Sequence, residues 1–228
     1  PLLIHSVGKK LTTEHTSTNM NKTHVPFSNT ELIIVLATLV WGGAFAYFIY
    51  TLGLTAVFVD QNSHLNIARL ITDSMTPGVS QIGFWPPLLH MLMAPFARID
   101  ILFTTGLAGA AILVPLLAWI NVFLYRTIKL VTKSSLMGIA AAIFFSLNPY
   151  VLYYAATPMT EILFIWAVFG VLYFLLRWIL LMVNRELSIL LLCQLFLAVP
   201  FFFFSIVCQA ATSKLARFQM ALINTLFL

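Results

Sequence analysis

The sequence has very little charge: 8% of its 228 residues are Asp, Glu, Lys or Arg, whereas 61% are hydrophobic. A soluble domain carries about 25% charged residues, so this shortage excludes an ordinary globule with one core. The chain has no basic run with interleaved aromatic residues, so its net charge of +5 does not indicate nucleic-acid binding. Its two cysteines, Cys193 and Cys208, lie in apolar surroundings without metal-ligand spacing, and we expect buried thiols.

What the chain has instead is a series of apolar runs, each near the roughly 20 residues that cross a bilayer as a helix. They cover about residues 31–54, 101–125, 135–154, 161–182 and 187–210, with a short sixth run at 218–228. The fold is therefore predicted to be an all-α integral membrane protein with about five to six transmembrane helices. Asn148-Pro149, near the end of the third run, is expected to end or kink that helix.

The distribution of Lys and Arg predicts a multi-pass protein with a cytoplasmic N-terminus. In that orientation the cytoplasmic side holds Lys9, Lys10, Lys22, Arg126, Lys129, Lys133, Arg177 and Arg185, and the outer side holds Arg69, Arg98, Lys214 and Arg217. The polar residues 1–30 then form a cytoplasmic tail, and residues 55–100 form an extracytoplasmic loop.

The loop 55–100 has the pattern of two short helices in the membrane interface. On a helix starting near Asp60, one stripe holds Asp60, His64, Ile67, Ile71 and Met75, and the other side holds Asn62, Asn66, Arg69 and Asp73. Pro77-Gly78 is expected to end this helix. Pro86-Pro87 suits the start of the second, with Trp85 as its interfacial anchor.

Two acidic residues at the predicted outer face are candidates for chemistry, because an ionised group near hydrocarbon is costly. Asp60 follows the first span and Glu161 opens the fourth, so the pair could serve as a base and an orienting group or metal ligand. Each equally suits a first-turn acid that the helix dipole stabilises. His64 and His90 equally suit amphipathic interfacial positions, and Arg69 suits a solvated or lipid-phosphate-facing cation.

Ordered motifs in and after the loop resemble those of a known family. In the loop they are Asp60-Gln61-x-Ser63-His64-Leu65-x-Ile67-Ala68-Arg69, Asp73-Ser74-x-Thr76-Pro77-Gly78 and Gln81-x-Gly83-x-Trp85-x-Pro87-Leu88; downstream they are Arg126, Leu147-Asn148-Pro149 and Tyr154-x-x-Thr157-Pro158-Met159-Thr160-Glu161. Over about residues 31–182 the chain resembles the polyprenyl-phosphate-dependent GT-C glycosyltransferases, in particular the prokaryotic members of the family 39, protein-mannosyltransferase-like group.

The resemblance implies a GT-C-like membrane module over residues 31–182, in a prokaryotic plasma (inner) membrane. Such enzymes transfer a sugar from a polyprenyl-phosphate donor to a protein or glycolipid acceptor outside the cytoplasm. Asp60 occupies the position of the catalytic base, and Glu161 that of a carboxylate that helps to organise the site or a divalent metal. The loop helices would frame the substrate cavity, which makes four residues candidates for substrate binding: His64, Arg69, Trp85 and His90.

The chain also departs from this family. Gln61 stands where many relatives carry a second acid, which weakens the case for a paired-carboxylate metal site and leaves the metal ligands undefined. Residues 183–228 carry none of the family's motifs, and we expect a divergent or truncated segment there. Two other interpretations stay open: a transporter or flippase-like protein, whose mark would be broken helices with polar groups at mid-depth, and a non-catalytic membrane remnant.

Overall fold

A computed structural model describes residues 27–83 and 85–183 of the chain, with side chains as far as residue 180. Within this part all regular structure is helical. The helices are α1 (Asn29–Thr51), α2 (Val59–Asp73), α3 (Pro87–Ala97), α4 (Asp100–Thr104), α5 (Ala108–Thr132), α6 (Ser135–Ser146), α7 (Pro149–Ala156) and α8 (Glu161–Val183), with a 3-10 turn at Val79–Ile82. Most of the predicted tail 1–30, the predicted spans 187–210 and 218–228, and both cysteines lie outside the described residues.

Three of these helices are long and apolar enough to cross a membrane: α1, α5 and α8. The predicted first and fourth spans match α1 and α8 closely. The predicted third span corresponds to α6 followed by α7, which are bent by 65° at the break between them. If these two helices together form one span, the described residues hold four candidate spans. Asn148 causes this break as predicted, because its side-chain oxygen accepts hydrogen bonds from the backbone N–H groups of Tyr150 and Val151 at 3.0 and 3.4 Å and so caps α7.

The second span differs from the prediction of about 101–125, since α5 begins at Ala108 and continues to Thr132. The apolar run contains Gly106 with a positive φ of 74°, which a helix cannot include and which separates α4 from α5. Thr55 packs against this glycine and donates a hydrogen bond to the Thr105 carbonyl oxygen at 2.7 Å. That contact attaches the chain after α1 to the start of α5.

Helix α5 lies at the centre of the bundle and packs against α1, α3, α6, α7 and α8. Its residues Leu113, Leu117 and Ile120 are fully buried. Two glycines permit close approach: Gly42 of α1 faces Val114, and Gly109 of α5 lies against the backbone of Pro158. We call the end of the bundle where α1 ends and α5 and α8 begin the loop end.

The opposite end is fastened by an ion pair between α1 and α5. Ser28 and Glu31 form a capping box that starts α1, with Ser28 N–H donating to Glu31 Oε2 at 2.9 Å. The same buried carboxylate accepts two hydrogen bonds from Arg126, Nε to Oε1 at 2.6 Å and Nη2 to Oε2 at 3.0 Å. A bidentate pair of this kind fixes both position and rotation of the two helices.

The connection between α1 and α5, residues 52–107, holds the two short helices predicted for this region. Helix α3 begins at Pro87 as expected, whereas α2 ends at Asp73, before the predicted stop at Pro77-Gly78. The face of α2 turned inward consists of Gln61, His64, Leu65 and Ala68. Of the predicted stripe, His64 is buried, Ile67 and Ile71 are half-buried, and Asp60 and Met75 are exposed, with Met75 beyond the end of the helix. Leu65 and Ala68 pack with Met93 and Ala97 of α3 and Ala108 of α5, which fixes the rotation of α2.

Candidate functional site

Asp60 lies at the loop end, in the first turn of α2. Its side chain is exposed, and the preceding residues Val57, Phe58 and Val59 are exposed apolar side chains, with Val59 80% accessible. A carboxylate in the first turn of a helix is stabilised by the dipole and by the free N–H groups there. The arrangement places an accessible carboxylate directly beside a surface that suits lipid.

Glu161 opens α8 at the same end of the bundle. The turn that leads to it is closed by a hydrogen bond from Met159 N–H to the Thr157 carbonyl oxygen at 2.7 Å, and Pro158 in this turn touches Gly109 of α5. Glu161 Oε2 is buried without a hydrogen-bond partner within the described part of the chain. A buried carboxylate oxygen without a partner is unusual in a folded protein and calls for a functional or structural reason.

Both acids lie at the loop end. Asp60 is in the first turn of α2 and Glu161 is in the first turn of α8, although 101 positions separate them in the chain. The two candidate catalytic residues thus lie at the same end of the bundle.

His64 and His90 form a hydrogen-bonded pair between α2 and α3. Their Nδ1 and Nε2 atoms, respectively, are 2.9 Å apart, and His90 Nδ1 is 2.9 Å from the Pro86 carbonyl oxygen. Because a carbonyl only accepts, His90 carries its proton on Nδ1, and its Nε2 must accept from His64 Nδ1 when both rings are neutral. Both side chains are buried, which favours packing between helices over direct contact with a substrate.

Burial also decides the charge of this pair. It lowers the pKa of His64 to about 4, with a smaller contribution from the neighbouring His90. It lowers the pKa of His90 as well, against the opposing effect of the Pro86 carbonyl. Both imidazoles are therefore neutral at pH 7. The Trp85 ring lies edge-on to His64 with centroids 4.7 Å apart, so this predicted substrate-binding residue contacts the same pair.

Arg69 closes the other end of α2. Its guanidinium donates to the carbonyl oxygens of Ala97 and Arg98 at 2.9 and 3.1 Å and to Asp100 Oδ1 at 2.7 Å, and it pairs with Asp73 on its own helix. It also lies over the Phe103 ring at 5.2 Å. These contacts attach α2 to the end of α3 and to α4, which favours a structural role over binding of a phosphate leaving group.

Residues that the sequence analysis did not identify as part of the site connect its two halves. Gln61 was treated only as a departure from an acidic pair, yet it is fully buried and hydrogen-bonded to Tyr153 of α7. Its bond to the Phe58 N–H is the Gln half of a capping box, but Phe58 lacks the Ser or Thr hydroxyl that makes this motif recognisable in a sequence. Its partner 92 residues away was not detectable either.

The described residues do not include a set of three or more His, Cys, Asp or Glu side chains that could hold a metal ion. Asp60 and Glu161 supply two carboxylates, and the nearby imidazoles are occupied by each other and by Pro86. The described residues therefore offer no more than these two carboxylates to the divalent metal that the resemblance implied.

Taken together, the apolar helices and their packing define a class, namely a helical membrane protein with several spans. Comparison with known proteins adds no narrower assignment, because no protein-family model, no curated protein and no solved structure matches the chain.

Proposed function

We propose that this chain acts as a membrane glycosyltransferase of the GT-C type, in which Asp60 is the general base. The observation that carries the proposal is the placement of an accessible carboxylate, Asp60, and the partly buried Glu161 at the same end of an apolar bundle. Two short helices frame this end, which is the arrangement that the resemblance implies for the donor and acceptor cavity.

The charge distribution supports placing this end outside the cytoplasm. Within residues 27–83 and 85–183, the basic residues at the opposite end are Arg126, Lys129, Lys133 and Arg177, and those in the connection between α1 and α5 are Arg69 and Arg98. Four of the five acids in these ranges lie at the loop end: Asp60, Asp73, Asp100 and Glu161. Because cytoplasmic segments carry the excess of Lys and Arg, the N-terminus is proposed to be cytoplasmic.

The proposed reaction is transfer of a sugar from polyprenyl phosphate to an acceptor hydroxyl. Asp60 removes the hydroxyl proton as the oxygen attacks the anomeric carbon, and the bond from that carbon to the phosphate oxygen breaks with its electron pair leaving on the phosphate. Glu161 orients the acceptor beside the base. The exposed apolar residues Val57, Phe58 and Val59 suit contact with lipid, which would hold Asp60 at the depth where a lipid-linked headgroup lies.

The test is sugar transfer in proteoliposomes that contain the purified full chain and a radiolabelled polyprenyl-phosphate sugar. Asp60→Asn keeps the shape of the side chain and removes the base, so transfer should fall by about 10²-fold or more. Asp73→Asn is the matched control: it neutralises the other acid of the same helix, and Arg69, with which Asp73 pairs, keeps its bonds to Ala97, Arg98 and Asp100, so transfer should be retained. Full activity in a folded Asp60→Asn chain would contradict the assignment of the base.

One observation favours the alternative of a transporter or flippase-like protein. Asn121 of α5 is fully buried and donates to Thr38 Oγ1 at 3.0 Å and Ser146 Oγ at 2.7 Å, just before the 65° break between α6 and α7. Broken helices with polar groups at mid-depth are typical of transporters. Substrate flux through vesicles without any glycosyl donor, abolished by Asn121→Leu and unaffected by Asp60→Asn, would support this alternative against the transferase.

A further inference from the structure

We infer that Gln61 is a positioning residue that, through Tyr153, holds Asp60 beside Glu161. The inference rests on the proposed role of Asp60 as the base. Gln61 is the residue next to that base, where a second acid would have a different role. We assign to Gln61 the role of setting the rotation of α2 and the distance of α2 from α7, the helix that leads to Glu161.

Gln61 uses both ends of its amide in this position. Its Oε1 accepts from the backbone N–H of Phe58 at 3.1 Å, which closes the first turn of α2, and its Nε2 donates to Tyr153 Oη at 3.0 Å. An amide offers an acceptor and a donor at once, whereas a carboxylate only accepts when ionised. A glutamate at this fully buried position could not donate a hydrogen bond to Tyr153, and it would carry a desolvated charge.

Tyr153 relays this contact to both sides. Its hydroxyl donates to the Leu54 carbonyl oxygen at 3.4 Å, so it also holds the chain between α1 and α2. Its own carbonyl oxygen accepts from Thr157 Oγ1 at 2.8 Å, and Thr157 is fully buried at the end of α7. Glu161 follows four positions later at the start of α8. Hydrogen bonds thus lead from the neighbour of Asp60 to the turn that presents Glu161.

The direction of Asp60 follows from this anchor. Successive residues of a helix are rotated by about 100°, so fixing Gln61 inward turns Asp60 outward toward the open side. The other anchors of α2 reach different elements: His64 bonds to α3, and Arg69 to the end of α3 and to α4. Among the hydrogen bonds of α2 in the described part, the Gln61–Tyr153 bond is the one that reaches α7, and hence the one that sets the distance to Glu161.

The experiment measures this geometry without relying on the reaction. Asp60→Cys and Glu161→Cys are introduced into a full-length chain in which Cys193→Ser and Cys208→Ser remove the natural thiols, and the rate of cross-linking by a short bismaleimide is followed in detergent. Gln61→Leu should slow cross-linking by about tenfold, because the buried amide contacts are lost while side-chain volume is similar. Asn66→Ala, at an exposed position on the same helix, is the matched control and should leave the rate unchanged.

Tyr153→Phe keeps the experiment decisive if Gln61→Leu does not fold, since it removes one oxygen only. It should slow cross-linking in the same direction, and the double variant should be no slower than Gln61→Leu alone, because both changes break one connection. The positioning role would be overturned if Tyr153→Phe, or a folded Gln61→Leu chain, cross-linked at the same rate as Asn66→Ala.

Transfer kinetics provide the second readout, in chains that retain Asp60, Glu161 and both cysteines. Gln61→Leu should lower kcat by up to about 10²-fold with the donor KM nearly unchanged, since a base displaced by about 1 Å loses reactivity rather than binding. A rise in donor KM at constant kcat would contradict the inference. If the unaltered chain transfers no sugar, the proposed function fails, and the cross-linking rates still decide whether Gln61 sets the distance between the two acids.

Discussion

Replacing Gly109 by alanine tests the packing that places Glu161. A Cβ at this position would lie 2.6 Å from the Pro158 Cα and 2.7 Å from its backbone nitrogen. Ordinary van der Waals contact begins near 3.4 Å, so the start of α5 and the turn before α8 would have to separate by about 0.8 Å. The opposing atoms belong to the backbone and to a proline ring and cannot rotate away. We expect Gly109→Ala to lower the free energy of unfolding by about 1–3 kcal/mol, as overpacking typically does.

Two other glycines serve as internal controls for this change. Gly43 of α1 has nothing within 4 Å of the added Cβ, so Gly43→Ala should raise the free energy of unfolding by about 0.5–1 kcal/mol through helix propensity alone. At Gly42 the nearest atom, at 2.8 Å, is a methyl group of the Val114 side chain. A side chain can adjust, so Gly42→Ala should fall between the other two. The structure thus predicts an order of three stabilities rather than one value.

The assay is unfolding of the purified full chain in mixed detergent micelles, titrated with SDS and followed by tryptophan fluorescence. Each variant is compared with the parent chain at the same protein and lipid concentration. A Gly109→Ala chain as stable as Gly43→Ala would refute the close approach of Pro158 to α5, and with it the described position of the turn that leads to Glu161.

Three further predictions concern the connections between helices. Arg126→Met should lower stability by about 3–5 kcal/mol because it leaves the buried Glu31 carboxylate without its cation, and adding Glu31→Gln should restore part of that loss in the same SDS titration. Acidification from about pH 6.5 toward 4 should weaken the contact between α2 and α3 by up to about 1.4 kcal/mol per pH unit, because the unfolded chain takes up a proton that His64, with its pKa lowered to about 4, does not. The protection factors of the α2 amides, which correct for the intrinsic pH dependence of exchange, should therefore fall over that range, and protection factors equal to those at pH 7 would contradict a buried neutral pair. Asn148→Ala should cost about 0.5–2 kcal/mol through the lost cap of α7, whereas Asn148→Ser should retain most of the stability in thermal melts.

Local signals in the sequence predicted the features that depend on neighbours along the chain. The break at Asn148-Pro149, the start of α3 at Pro87 and the position of α8 follow from a cap, a proline and an apolar run. The predicted start of the second span was wrong because Gly106 divides one apolar run into two helices, α4 and α5. A hydropathy pattern does not indicate where the backbone takes a positive φ. A search for glycine within the run would have raised that possibility.

Contacts between distant residues were beyond such reasoning. The rotation of α2 depends on which side chains fit against α3, α5 and α7, and Gln61 was not expected to be buried because an amide counts as polar in any pattern. The pairing of His64 with His90 depends on the angle between two short helices. In contrast, the placement of Asp60 and Glu161 at one end of the bundle followed from chain direction, since one residue comes soon after α1 and the other opens α8.

Glu31 is synthesised 95 residues before Arg126, the residue that neutralises it. At the usual pace of translation, about 5–20 residues per second, the acid waits roughly 5–20 s for its partner. During that interval α1 is long enough to cross the bilayer, but the unpaired Glu31 carboxylate at its N-terminal end remains hydrated. The helix can therefore enter the bilayer without reaching its final depth. Insertion of α5 brings Arg126 to Glu31 and completes the ion pair, which fixes the depth of α1. The biogenesis of this protein therefore has an order, in which the central helix is inserted before the first helix reaches its final position.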